Sequence, residues 1–159
     1  MRAIGFRAEP TVVHFAIVEG TRDRPVVLTR NKFAAPKTYD DADQLVWYRE
    51  KVRGIIQNHS ADVAGVRFPE ARSQSAGTSS AMRRLRIEGV VMEAARSLAI
   101  PIKAAGGLQH IRAKLGMSHS PKEYMAGDRE VRGVQLSDHP KQMQEAILIA
   151  TAALDGDSK

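Results

Sequence analysis

The residues of this 159-residue chain that could do chemistry are five histidines, a serine-rich loop, a Gly-Gly pair and an excess of basic groups. His14, His59, His110, His119 and His139 form no pair at i,i+4 spacing and no zinc-protease pattern, so they read as isolated side chains. Ser73, Ser75, Ser79 and Ser80 lack the strand-turn-helix setting of a nucleophile elbow, which argues against a serine hydrolase. There is no cysteine, so disulfides, thiolate nucleophiles and cysteine-ligated zinc are excluded. That composition suits a cytoplasmic protein. Gly106-Gly107 precedes a short basic segment. It can present a helix N-terminus to an anion or simply turn the chain, and its spacing favours the turn.

The formal charge is +6 and the pI about 9.9. Such a balance suits a nucleic acid or an acidic protein as partner and says nothing about fold. Arg72 lies in a polar loop, and Arg83, Arg84 and Arg86 follow in the first turns of the next helix. A cluster of this kind can neutralise phosphates, and a charged helix face can equally be only a solvated one. Trp47, Tyr39 and Tyr48 fall in the first helix or the loop before it, so no aromatic stacking platform is expected beside the arginines.

The elements that must position these groups follow from periodicity. Arg2–Ala8 and Thr11–Glu19 read as two strands around a Glu9-Pro10 turn, and Val26–Phe33 as a third, half-exposed strand. Asp40, Asp41 and Asp43 place acid where a helix dipole favours it. The helix runs to about Asn58, with Leu45, Tyr48, Val52, Ile55 and Ile56 on one stripe. Ala61–Phe68 reads as a buried parallel strand. A helix capped by Ser79 or Ser80 runs to about Leu98. It is apolar on two sides, so the sheet can cover one and a neighbouring helix or a second chain must cover the other; the last helix is a candidate.

Ala99–Ala104 reads as a fifth strand, with Pro101 near its start. Short helices follow at Leu108–Leu115 and from Pro121, the first stopped by Gly116. A last helix opens at Asp138 or His139-Pro140 and ends near Leu154. The organisation expected is one domain over residues 1–154 and a polar tail over 155–159. No apolar run reaches the roughly 18 residues of a membrane helix, and the N-terminus shows no signal pattern. Three strands in a meander and two strand-helix crossovers give an α/β fold. Its sheet is mixed and five-stranded, with two parallel strands added to the antiparallel meander and helices on its faces.

In order and spacing, the chain resembles the RuvC-type Holliday-junction resolvases, a branch of the ribonuclease H-like superfamily. Ile4-Gly5-Phe6-Arg7 is similar to the family's I-G-I-D strand. Asp62–Arg67 is similar to its fourth strand, and Arg86–Ala95 followed by Ile100-Pro101-Ile102 to its central helix and fifth strand. Ile111–Gly116 and Glu145–Ala150 are similar to the segments that follow. The resemblance implies a nuclease that holds two magnesium or manganese ions between carboxylates. At the implied acid positions, however, stand Arg7, Arg67 and Gln142, and only Glu145 keeps a carboxylate. Two guanidinium groups would repel a divalent cation and pair with Glu145 or a phosphate.

The expectation is therefore a catalytically degenerate protein, a pseudonuclease acting as a nucleic-acid-binding or assembly module without a metal. DNA or RNA would meet Arg7, Arg67, Arg72, Arg83, Arg84 and Arg86, and residues 82–98 would support a homodimer, as that helix does in the family. Two alternatives stay open. In one, Glu9, Glu19, Glu70, Glu88 or Asp138 rebuilds a site for Mg or Mn and the protein is an active nuclease. In the other, it is an accessory or inhibitor subunit with a protein partner only.

Overall fold

The computed structural model describes residues 1–70 and 78–157. Strands β1 (Arg2–Ala8), β2 (Val13–Gly20) and β3 (Pro25–Phe33) are followed by helix α1 (Asp41–Asn58) and strand β4 (Val63–Arg67). Helix α2 (Ser79–Ser97), strand β5 (Ile102–Gly106) and helices α3 (Leu108–Leu115), α4 (Pro121–Ala126) and α5 (Lys141–Ala153) complete the order. The sheet runs β3-β2-β1-β4-β5. β1 and β2 are antiparallel, as are β2 and β3, while β4 lies parallel to β1 and β5 parallel to β4. The expected α/β architecture is the observed one.

The two sheet faces bury different helices. Ile4, Phe6, Phe15, Ile17 and Val66 pack under Tyr48, Val52 and Ile56 of α1 and Ile87, Val91 and Ala95 of α2. The opposite face, with Ala3, Ala16 and Val63, takes α5. Helix α5 is buried over almost its whole length, which its all-round apolar sequence requires. Ile111 and Leu115 of α3, Tyr124 of α4 and Leu136 cover the side of α5 that the sheet does not.

Two glycines bring α5 down onto the sheet. A Cβ at Gly5 would strike the Ala146 carbonyl oxygen and come within 2.6 Å of the Ala150 nitrogen; one at Gly65 would stand 2.5 Å from the Ile149 carbonyl oxygen. Gly5 and Gly65 are register partners, so the helix crosses the sheet where neither strand carries a side chain. That crossing delivers the first turns of α5 to the ends of β1 and β4.

Several expected boundaries move. Thr78, not Ser79 or Ser80, caps α2, accepting from the Ala81 N–H at 3.2 Å. The fifth strand begins after Pro101 and extends to Gly106, because its backbone pairs with β4 through Arg67↔Gly106. The last helix starts at Lys141, with Pro140 before it. The second apolar side of α2 is covered by α1, not by the last helix, and Arg49 ties the two helices by donating to Glu93 at 2.7 Å. Met82 and Leu85 remain exposed at the start of α2. Among the described residues no helix is long and apolar enough to cross a membrane. The expectations placed on Arg72, Ser73 and Ser75 lie outside the described residues.

Candidate functional site

Sheet register sets a row of polar side chains across the end of the sheet. Lys32 of β3 pairs with His14 of β2, His14 with Arg7 of β1, Arg7 with Arg67 of β4, and Arg67 with Gly106 of β5. The row follows the Gly5-Gly65 crossing by one step on the same face, since side chains alternate along a strand. It lies at the carboxyl ends of the parallel strands, where open α/β sheets bind ligands.

The first turns of α5 meet this row. Arg7 Nε donates to Glu145 Oε2 at 2.6 Å, and Arg67 Nε lies 3.2 Å from the same oxygen. Arg7 Nη1 also donates to the Ala8 carbonyl. One turn earlier, Gln142 Nε2 donates to Glu9 Oε1 at 3.0 Å, and the other Glu9 oxygen lies 3.0 Å from His14 Nε2. Glu145 is 2% exposed, and the Arg67 side chain 5%. Burial lowers the Arg67 pKa; Glu145 and Glu70 act against that shift, while Arg7 and Arg84 reinforce it.

Two more carboxylates complete the cluster. Glu70 reaches back from beyond β4, and its Oε1 accepts from Arg67 Nη2 at 3.1 Å and from the Leu108 N–H at 2.6 Å. Glu88 of α2 is buried and accepts from Arg84 Nε at 2.7 Å. Burial pushes the Glu88 carboxyl above its ordinary range, opposed first by Arg84. The guanidiniums of Arg7, Arg67 and Arg84 thus face the carboxylates of Glu145, Glu70 and Glu88, six groups whose formal charges balance, and Glu9 stands beside them on Gln142 and His14.

This donor set does not fit a divalent metal. Hard cations take oxygen ligands, and the one carboxylate at an implied acid position has its Oε2 within 3.2 Å of two guanidiniums. The other candidate acids stand in separate settings. Glu9 serves Gln142 and His14, Glu19 pairs with Arg2, Glu70 serves Arg67 and the α3 backbone, and Glu88 serves Arg84. Asp138 is exposed. Among the described residues no group of three or more histidines and carboxylates could hold a metal ion.

The remaining expected arginines sit at the rim. Arg83 and Arg86 are exposed and share Asp41, at 3.1 and 3.7 Å. Exposed pairs of this kind contribute about 0–1 kcal/mol, so a phosphate can displace them. They line an open groove of about 510 Å³ with Thr11 and Ser79. An adjoining groove of about 580 Å³ places exposed Tyr39 in the company of Arg83 and Lys37. One exposed ring, Tyr39, therefore shares a groove with Arg83. The start of α1 lies beside the start of α2 through Asp41, a proximity that sequence distance hides.

His14 and Glu88 were the least legible members. The signal for His14 is the hairpin register opposite Arg7. For Glu88 it is the four-residue spacing from Arg84 on one helix.

No protein-family model matches the chain, and no curated protein sequence is similar to it. Solved structures are. Thermus thermophilus RuvC matches at a TM-score of 0.74 and 17% identity, over 96% of this chain and 92% of that one. The chain has the RuvC-like form of the ribonuclease H-like fold. T. thermophilus RuvC in complex with a Holliday junction substrate matches at 0.70 and 15%, covering 96% and 91%. The yeast mitochondrial Holliday junction resolvase matches at 0.62 and 10%, covering 95% and 76%.

The buried Glu88 gives a pH prediction. Its folded-state pKa is raised, so its contribution to stability is complete below the unfolded-state value and is lost as pH rises through the folded one. Glu88→Gln removes this titration. Urea unfolding from pH 4 upward is expected to lose stability in the parent as pH rises through that window, and to lose less in the variant.

Proposed function

We propose that the chain is a catalytically degenerate RuvC-like protein, a nucleic-acid-binding module in which a guanidinium–carboxylate cluster replaces the metal centre. The observation that carries this reading is the convergence of Arg7 and Arg67 on Glu145. The basic rim at Arg83 and Arg86 supports a nucleic-acid partner, as does the likeness to a resolvase solved with its junction substrate. Phosphates would be met at the rim and positioned by charge, without bond cleavage.

The proposed module is a homodimer through residues 82–98. Met82 and Leu85 stand exposed on α2, and a Cβ at Gly89 would meet nothing within 4 Å. The described residues of its own chain leave that stripe partly open.

Binding to a four-way DNA junction, linear duplex, single-stranded DNA and RNA, measured in chelator at rising salt, tests the proposal. Affinity is expected to survive chelation and to fall steeply with salt. Arg83→Ala with Arg86→Ala should reduce the slope of log K against log salt by about 2, one for each phosphate no longer neutralised. Binding that is absent, or indifferent to salt, would favour a protein partner instead.

A further inference from the structure

We propose that Glu70 is a removable plug in an oxyanion site built from Arg67 and the N-terminus of α3, and that this site takes a phosphate group when Glu70 swings out. That the phosphate belongs to a nucleic acid rests on the function proposed above; the site itself does not.

The anchored half of the site is Arg67. Its side chain is 5% exposed, and its Nη1 has no hydrogen-bond partner among the described residues. A buried guanidinium nitrogen without an acceptor is costly. Glu70 relieves only part of that cost. A single oxygen, Oε1, serves both Arg67 Nη2 and the Leu108 N–H, leaving Nη1 unserved. A phosphate offers several oxygens and can take the guanidinium fork through both Nη atoms while another oxygen accepts from the helix.

The movable half is Glu70. Its side chain is 47% exposed, so it returns to water at small cost, whereas Arg67 cannot leave. Gly107 keeps the space open. Its backbone is ordinary, with φ −76° and ψ −178°, and without a side chain it provides no helix cap of its own. A Cβ there would lie 2.5 and 2.9 Å from the two Glu70 oxygens. Alanine here would therefore compete for this space with the Glu70 carboxylate, or with an anion that replaced it.

The test uses the full chain and inorganic phosphate, followed by calorimetry. Glu70→Gln keeps the shape of the plug and removes its charge, and is expected to tighten phosphate binding about tenfold, the scale of one charge-assisted hydrogen bond. Adding Gly107→Ala should abolish the gain by filling the site. Phosphate affinity unchanged by Glu70→Gln, or a gain that survives Gly107→Ala, would overturn the proposal. If the double variant does not melt cooperatively, Glu70→Gln is compared in sulfate and in chloride. A gain shared by sulfate but not chloride supports an oxyanion site, and an equal gain with chloride refutes it.

An arm with linear DNA separates the sources. Tighter DNA binding by Glu70→Gln assigns the phosphate to a nucleic acid. A gain for phosphate alone keeps the site, assigns it to free phosphate and leaves the nucleic-acid reading to the salt titration. Intact DNA binding with no phosphate effect removes this inference and spares that reading.

Discussion

Replacing Glu145 by alanine is expected to destabilise the protein by about 3–5 kcal/mol, the cost of stripping a buried ion pair of one partner. Glu145 is the carboxylate on which both Arg7 and Arg67 converge, and its own surroundings are almost closed to water. Without it, the hydrogen bonds that remain to these groups among the described residues are those of Arg67 to the half-exposed Glu70 and of Arg7 to the backbone carbonyl of Ala8. For a chain of this length that loss corresponds to a fall in melting temperature on the order of 10 °C. Thermal unfolding checks it. Replacing Arg7 and Arg67 by methionine together with Glu145 by leucine should recover most of the loss, because Glu88 keeps Arg84, and Glu70, the one charge left without its ion-pair partner, is half exposed to water. A loss below about 1 kcal/mol for the alanine variant would match a surface pair and contradict the buried cluster.

Gly5→Ala is the second large effect. The added Cβ would strike the Ala146 carbonyl oxygen and lie 2.6 Å from the Ala150 nitrogen and 2.8 Å from its Cβ. These atoms belong to the backbone and first carbon of a buried helix and cannot rotate away, so α5 must lift. Overpacking of this kind costs roughly 1–3 kcal/mol, and this backbone clash places it at or above the upper end. The consequence reaches the site, because lifting α5 draws Glu145 away from Arg7 and Arg67. Gly54 provides the control, since a Cβ there meets nothing within 4 Å. Alanine at that helix position should instead stabilise by about 0.5–1 kcal/mol. Urea unfolding of the two variants is expected to give opposite signs; the same sign at both would contradict the close crossing of α5.

Strand order and element types were legible because they rest on strong local signals. Alternation and turn residues define the meander, and right-handed crossovers leave β4 only one place, beside β1. Boundaries were less legible where tertiary pairing decides them. β5 extends to Gly106 because Arg67 needs a partner on that side, and nothing in the local sequence marks this. The cover on α2 was open in the sequence because two apolar sides do not say which helix arrives.

At the site, the meeting of Arg7, Arg67 and Glu145 could be read from the resemblance, which implies neighbouring positions for all three. The counter-charges could not. Glu70 and Glu88 look like ordinary acids in a charged chain. Their roles depend on how far a loop turns back and on which face of α2 meets the sheet. The neutral balance of the cluster is a three-dimensional property, and it changes the meaning of the arginines. Arg7, Arg67 and Arg84 are internal groups with partners, while Arg83 and Arg86 are the rim.

If guanidinium groups stand where the fold's nucleases place metal-binding acids, metal should neither drive cleavage nor stabilise the chain. The most direct measurement is incubation of the chain with a labelled four-way DNA junction across a titration of Mg²⁺ and Mn²⁺, following cleavage and melting temperature together. No cleavage and no metal-dependent rise in melting temperature are expected. Metal-dependent cleavage that disappears in the Glu145→Gln variant would contradict the loss of metal chemistry.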